Sequence, residues 1–180
     1  MNSVPPVAFS HVGFHCFDLP KMESFYKRIL GLMETDRGEA RGQPLVFLSR
    51  NANEHHQVVL VGGRTGERTD KLLNQLSFRV DSLADLRRFM ATVQAEPEVT
   101  DIAPVNHGVA WSIYFRDPEG NRIELFVDSP FYVTQPLIGA LDLSQDDATI
   151  ERKTIEAYAL DPGFRTLKDW RESFAAKLEI

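Results

Sequence analysis

The sequence lacks features that several large classes of protein require. It has no apolar run of about 18 residues, which a membrane-spanning helix needs, and its first residues have neither the basic start nor the apolar segment of a signal peptide. Its single cysteine, Cys16, cannot form an internal disulfide, and the alternating apolar stretch around it predicts a buried thiol. We therefore expect a cytoplasmic protein with no membrane partner.

Clusters of basic residues are also missing. The formal net charge is -6 and no long basic run interrupts the chain, which argues against nucleic acid and anionic membrane as partners. The partner class that remains is a small molecule. The 180 residues suffice for one domain of ordinary size, or for a smaller domain with an appendage.

Two successive stretches of the chain follow the same order of elements. Periodicity predicts a strand at 9–17, a helix at 21–30, a weaker strand at 32–37 and strands at 44–49 and 55–61; then a strand at 75–80, a helix at 83–93, a short strand at 98–100 and a hairpin at 110–115 and 122–128. Laying Gln75 on His11 brings Phe78 onto Phe14. The sequence therefore predicts an α+β fold of tandem βαβββ modules, at about 8–64 and 72–128, that form a curved mixed sheet around a cup.

The residues after the second module differ in character. Pro136 marks a linker, and helical periodicity returns at 146–160, where Ser144 or Gln145 is the expected cap, and at about 167–178. We therefore divide the chain into a domain at 1–134 and a helical C-terminal extension at 135–180. The extension is expected to pack on the domain or on a second subunit, and we assign it no chemistry.

The predicted hairpin carries a carboxylate on an otherwise apolar strand. Pro118 and Gly120 supply its turn, and alternation places Glu124 on the face opposite Ile123 and Leu125. The hairpin alone allows two interpretations of Glu124, a solvated carboxylate or a ligand. Equivalent strands carry His11, with His15 four residues on, and also His56 and Gln75, and imidazoles with one carboxylate are what an open metal site requires.

Several motifs together resemble one superfamily. They are His11-Val12-Gly13-Phe14, Phe25-Tyr26 with Leu30-Gly31-Leu32, His55-His56-Gln57-Val58, Asn106-His107-Gly108, and the hairpin through Asp117-Pro118-Glu119-Gly120-Asn121 to Glu124-Leu125. This set resembles the vicinal oxygen chelate superfamily, which includes glyoxalases, bleomycin resistance proteins and extradiol dioxygenases. Within it, the set is most similar to the single-domain extradiol ring-cleaving dioxygenases of the catechol type.

The resemblance implies a role for each matching residue. It makes His11, Gln75 and Glu124 the metal ligands, His56 the acid–base residue, with His55 in its place if the register shifts by one, and His107 and Tyr114 the residues that hydrogen-bond the substrate or the oxygen-bound intermediate. Gln75 departs from the pattern, because the dioxygenases have a histidine there. An amide oxygen is a weaker donor to Fe(II) than imidazole, although glyoxalases use glutamine as a ligand.

The function that this resemblance implies is a metal-dependent ring-cleaving dioxygenase. Its substrate would be a catechol-like aromatic diol, its cofactor Fe(II), with Mn(II) or another divalent metal as alternatives, and its assembly a homodimer. Two other functions stay open: a glyoxalase-like lyase or isomerase that uses His11, Gln75 and Glu124, and a metal-free protein that binds a small molecule.

Overall fold

The two predicted modules are present in the computed structural model, which describes residues 7–68 and 73–178. The chain divides into a first unit, which holds residues 7–68 with the turn residues 118–120, and a second unit, which holds residues 73–117 and 121–178. Each unit contains its own hydrogen-bonded sheet. The predicted boundary between 134 and 135 stays a prediction.

The first unit contains one helix and four strands. These are β1 (Val12–Cys16), α1 (Leu19–Leu30), β2 (Met33–Ala40), β3 (Gln43–Ser49) and β4 (Val58–Gly62). The sheet order is β1-β4-β3-β2, with β1 parallel to β4 and the other pairs antiparallel. Asp18 caps α1, Gly31 ends it at φ 64°, and the apolar stripe predicted for this helix is buried.

The second unit repeats this plan. It contains β5 (Leu76–Arg79), α2 (Leu83–Ala95), β6 (Thr100–Asn106), β7 (Ala110–Arg116) and β8 (Arg122–Asp128). The strands β5-β8-β7-β6 have the order of the first sheet, with β5 parallel to β8. Ser82 caps α2 as predicted, and α2 packs against β7 and β8. The α+β fold with tandem βαβββ modules is thereby confirmed.

Three predicted strands begin later than alternation suggested. His11 lies one residue before β1, His56 two residues before β4, and Gln75 one residue before β5. The reason is the parallel pairing: the β1–β4 ladder begins with Val12 opposite Val58, and the Val12 N–H donates to the Gln57 carbonyl. The three side chains therefore stand at strand entrances rather than within the ladders.

The C-terminal extension contains more strand than we predicted. β9 (Phe131–Tyr132) precedes it, and its own elements are β10 (Gly139–Ala140), α3 (Asp147–Tyr158), β11 (Arg165–Thr166) and α4 (Leu167–Leu178). The strand predicted at 98–100 meets β6 only at Thr100, because β6 pairs with β7 from Thr100 to Asn106 and with β10 at its end. Asp146, rather than Ser144 or Gln145, caps α3 by accepting from the Thr149 N–H. No helix in the described part of the chain is long and apolar enough to cross a membrane.

Candidate active site

The register of the second sheet gathers polar side chains around Glu124. On β8, Glu124 lies directly opposite Tyr114 of β7 and Ser77 of β5. Because side chains two residues apart on a strand share a face, Ser112 and Gln75 point to the same side as these partners. The opposite face of β8 carries Ile123 and Leu125, which are buried in the core. The alternation predicted for this hairpin is confirmed.

The Glu124 carboxylate accepts four hydrogen bonds, two at each oxygen. Its Oε1 accepts from the hydroxyls of Ser112 (2.8 Å) and Tyr114 (2.5 Å). Its Oε2 accepts from Gln75 Nε2 (2.8 Å) and from the Ser77 hydroxyl (2.5 Å). A carboxylate has about four lone-pair positions. The protein itself therefore fills the hydrogen-bonding capacity of Glu124.

The hydrogen-bonding capacity of Glu124 is filled, but its negative charge has no lysine or arginine in direct contact among the described residues. The residue is only 7% exposed, and no lysine or arginine of the described residues lies within ion-pair distance of it. The nearest basic group is His107, whose Nε2 lies 3.9 Å from Glu124 Oε1. Burying an anion without a countercharge is costly, so such a position is characteristic of functional sites. The solvated interpretation of Glu124 is wrong, because its side chain is buried and bonded.

Tyr114 and His107 form a chain that leads to Glu124. The Tyr114 hydroxyl donates to Glu124 and lies 2.9 Å from His107 Nε2, while His107 Nδ1 lies 2.6 Å from the Leu137 carbonyl oxygen. Burial, followed by the hydrogen bond to Glu124, raises the pKa of Tyr114 above its ordinary value of 10. The phenol therefore stays neutral across the physiological pH range and can act as a hydrogen-bond donor.

Gln75 contacts Glu124 through its amide nitrogen. Its Nε2 also lies 3.0 Å from the Ser77 hydroxyl, while its Oε1 accepts from Asn74 at 3.4 Å. The amide oxygen, which would be the metal-binding atom, is thus the less strongly engaged end of this side chain. A turn of the amide group would exchange the two atoms.

The first unit holds the other predicted site residues. The rings of His11 and His56 meet edge to face with centroids 4.2 Å apart, and His55 Nδ1 lies 2.9 Å from His56 Nδ1. Burial, and then the neighbouring His11 and His55, lower the pKa of His56 below 6.5. The structure thus brings His11, His55 and His56 together, and separately brings together Gln75, His107, Tyr114 and Glu124. In the described ranges, no group of three or more His, Cys, Asp or Glu residues could hold a metal ion.

Three contributors to the site were missed by sequence reasoning. Ser77 and Ser112 bond Glu124, and their spacing of two residues from Gln75 and Tyr114 was the signal that could have identified them. The Leu137 carbonyl was not identifiable, because a main-chain acceptor has no signature in residue type.

Comparison with known proteins agrees with this architecture. The sequence model described as "Glyoxalase/Bleomycin resistance protein/Dioxygenase superfamily" matches residues 8–125. Biphenyl-2,3-diol 1,2-dioxygenase 3 of Rhodococcus globerulus is 34% identical over 137 residues, covering 72% of this chain and 66% of that protein. Biphenyl-2,3-diol 1,2-dioxygenase 2 of the same organism is 28% identical over 128 residues, covering 67% and 63%. The chain spans just under two thirds of the length of these relatives.

A solved structure shares the fold. A mutant of the fosfomycin resistance protein FosX from Listeria monocytogenes, complexed with Mn(II) and 1S,2S-dihydroxypropylphosphonic acid, superimposes with a TM-score of 0.53 at 19% identity. The match covers 67% of this chain and 92% of FosX. At this identity the likeness shows the fold alone.

Proposed function

Because the chain belongs to the glyoxalase/bleomycin resistance protein/dioxygenase superfamily, we propose that it is a metal-dependent dioxygenase that cleaves the ring of a catechol-like aromatic diol. The observation that carries the proposal is the buried Glu124 carboxylate with Tyr114 and His107 in a hydrogen-bonded chain beside it. The similarity to two biphenyl-2,3-diol dioxygenases supports the choice of substrate class.

The donor atoms of the second unit fit a divalent ion in charge and in type. Glu124 offers an anionic oxygen with no lysine or arginine beside it among the described residues, and Gln75 offers a weakly engaged amide oxygen. Because both oxygens of Glu124 already accept hydrogen bonds, an ion would replace such bonds rather than fill an empty position. We expect the Gln75 hydrogen bond to be the one that an ion replaces, because turning the amide puts the Oε1 ligand atom where the Nε2 donor was.

The chain's own residues have separable tasks in this reaction. A bound divalent ion would supply Lewis-acid polarisation of the diol oxygens and, if it is Fe(II), a path for electrons from the diol, which is oxidised, to dioxygen. Ser112 and Ser77 hold the Glu124 carboxylate in one orientation. Tyr114 presents a neutral hydroxyl, and His107 holds a proton acceptor or donor, Nε2, at 2.9 Å from it. The predicted roles of His11 as a ligand and His56 as the acid–base residue stay predictions.

Anaerobic loading with Fe(II) tests the proposal. After loading, biphenyl-2,3-diol and catechol are supplied separately with dioxygen, and we expect the absorbance of a ring-cleaved product together with oxygen uptake. Glu124→Gln should abolish turnover, and Tyr114→Phe should lower kcat by about 10²–10⁴-fold if the hydroxyl takes part in proton transfer. The proposal fails if the loaded protein consumes no oxygen with either diol.

One observation favours a second function, binding of an aromatic molecule without turnover. Because four protein donors satisfy Glu124, the site is complete without an ion. This function predicts that biphenyl-2,3-diol binds equally well in the presence and absence of EDTA, measured by calorimetry. Dioxygenase chemistry instead predicts tighter binding of the diol after metal loading.

The predicted homodimer belongs to the same proposal. On α4 no residue is buried, and Phe174 and Leu178 are 44% and 51% exposed. Apolar side chains left exposed in this way are compatible with a subunit contact. Light scattering coupled to gel filtration of the full chain measures the assembly, and a monomeric mass across the micromolar range would refute it.

A further inference from the structure

The segment between β8 and α3 contacts His107 at two points. Leu137 contributes its carbonyl oxygen, which lies 2.6 Å from His107 Nδ1. A carbonyl oxygen only accepts hydrogen bonds, so this contact requires a hydrogen on Nδ1. The other ring nitrogen, Nε2, is then the atom that faces the Tyr114 hydroxyl at 2.9 Å.

Gln135 ties this segment to the backbone of His107. Its Nε2 donates to the carbonyls of His107 (2.7 Å) and Val133 (3.2 Å), while its Oε1 accepts from the Leu137 N–H (3.2 Å). One side chain therefore holds the main chain on both sides of the contact between the imidazole and the Leu137 carbonyl. Gln135 itself is exposed, so core packing does not explain its position.

The neighbouring residues anchor the same region. Gly139 of β10 pairs with Asn106, the residue before His107. The Asn106 side chain donates to the Thr154 hydroxyl of α3 (2.9 Å) and accepts from the Gly108 N–H (2.8 Å). A side chain at position 139 would strike the Tyr158 hydroxyl. The extension is thus fastened to Asn106, the residue before His107, and the Asn106 side chain in turn bonds Gly108, the residue after it.

We propose that Gln135 and the Leu137 carbonyl are positioning elements for His107, and that through them the C-terminal extension takes part in the site. They hold the hydrogen on Nδ1 and direct Nε2 toward Tyr114, so that proton exchange with the Tyr114–Glu124 side passes through one nitrogen. Without Gln135 the Leu137 carbonyl loses its support, and the imidazole can turn away from Tyr114. The catalytic consequence rests on the proposed dioxygenase function, whereas the positioning itself does not.

Nitrogen NMR of the histidine rings tests the positioning directly. In ¹⁵N-histidine-labelled full-length protein, with the signals of His107 assigned by their loss in His107→Gln, we expect an Nδ1–H that exchanges slowly with water. In Gln135→Ala the exchange should become about two- to tenfold faster, the range that the loss of one ordinary hydrogen bond produces. Gln135→Glu keeps the acceptor for the Leu137 N–H but loses the donor to the His107 carbonyl. Its exchange rate should fall between those of wild type and Gln135→Ala.

A matched control and two contrary results define the test. Gln145→Ala removes the same side chain elsewhere in the extension, where it bonds Asp142, and should leave the His107 signals unchanged. The proposal is overturned if wild-type His107 carries no hydrogen on Nδ1, or if Gln135→Ala leaves the exchange rate unchanged while its far-ultraviolet circular dichroism matches wild type.

Kinetics separate this proposal from the proposed function. If the protein cleaves diols, Gln135→Ala should lower kcat by about two- to tenfold with KM unchanged, because the lost positioning affects proton transfer rather than substrate binding. If Fe(II)-loaded wild type cleaves no diol, the dioxygenase function fails, and the NMR measurement still decides whether Gln135 positions His107.

Discussion

Replacing Ser112 by alanine should destabilise the second unit although it removes a single oxygen atom. Ser112 is fully buried, and its hydroxyl donates to the buried Glu124 carboxylate at 2.8 Å. Hydrogen bonds to charged groups contribute about 1.5–3 kcal/mol, and no water can replace this donor at a fully buried position. We therefore expect Ser112→Ala to lower the free energy of unfolding by about 1.5–3 kcal/mol.

Urea unfolding followed by tryptophan fluorescence measures this loss. Both tryptophans, Trp111 and Trp170, lie in the second unit, so the signal follows the unit that contains the site. In a thermal scan the same loss corresponds to a decrease in Tm of about 3–12 °C, from about 2–4 °C per kcal/mol for chains of this size. Ser77→Ala is the matched control: Ser77 also bonds Glu124 but is exposed, so water can take its place and the cost should stay below about 1 kcal/mol.

A double-mutant cycle attributes the effect to the carboxylate. In a Glu124→Gln background the charge that strengthens the Ser112 bond is gone, so Ser112→Ala should cost about 1 kcal/mol less than in wild type. The reasoning fails if Ser112→Ala costs less than about 0.5 kcal/mol of unfolding free energy. It also fails if Ser77→Ala and Ser112→Ala cost the same, because the buried donor would then matter no more than the exposed one.

Three further predictions concern the same unit. Because burial raises the pKa of Tyr114, folding favours the neutral phenol. The stability that the neutral phenol contributes is complete below the unfolded pKa of about 10 and declines as pH rises above it. The difference in free energy of unfolding between wild type and Tyr114→Phe, measured by urea titration, should therefore shrink above pH 10. Thr154→Val leaves two buried N–H donors without their acceptor and should cost at least about 2 kcal/mol by urea unfolding. Thr149→Val, at a half-buried position where the hydroxyl bonds the exposed Asp146, should cost less than about 1 kcal/mol. Gln75→His should bind Mn(II) more tightly than wild type in calorimetry, because imidazole is the stronger donor; equal affinity would identify the amide oxygen as an adequate ligand.

Sequence reasoning reached the carboxylate half of the site because turn chemistry determines register. Asp117 and Asn121 exchange main-chain and side-chain hydrogen bonds across the turn, and this closure places Tyr114 opposite Glu124. Once the duplication was recognised, Gln75 followed as a neighbour, since β5 occupies in the second sheet the position of β1 in the first.

The remainder of the site depends on features that residue type does not encode. Alternation marks which residues face one side of a strand, but it does not mark where the hydrogen-bonded ladder begins, so the entrances of β1, β4 and β5 were predicted too early. The extension looked like a pair of packing helices because its contact with His107 uses the carbonyl of Leu137. Such a contact becomes visible only when the path of the main chain is known.

The sequence distances between Glu124 and its four hydrogen-bond partners determine the order in which these bonds form during folding. Ser112 and Tyr114 lie 12 and 10 residues from Glu124, within one hairpin, whereas Ser77 and Gln75 lie 47 and 49 residues away across a parallel connection. Hairpins close in microseconds, but a parallel pair must wait for a long crossover to form. The Oε1 side of the carboxylate should therefore be bonded in the folding transition state, and the Oε2 side only afterwards. Ser112→Ala should then slow folding, while Ser77→Ala should only speed unfolding.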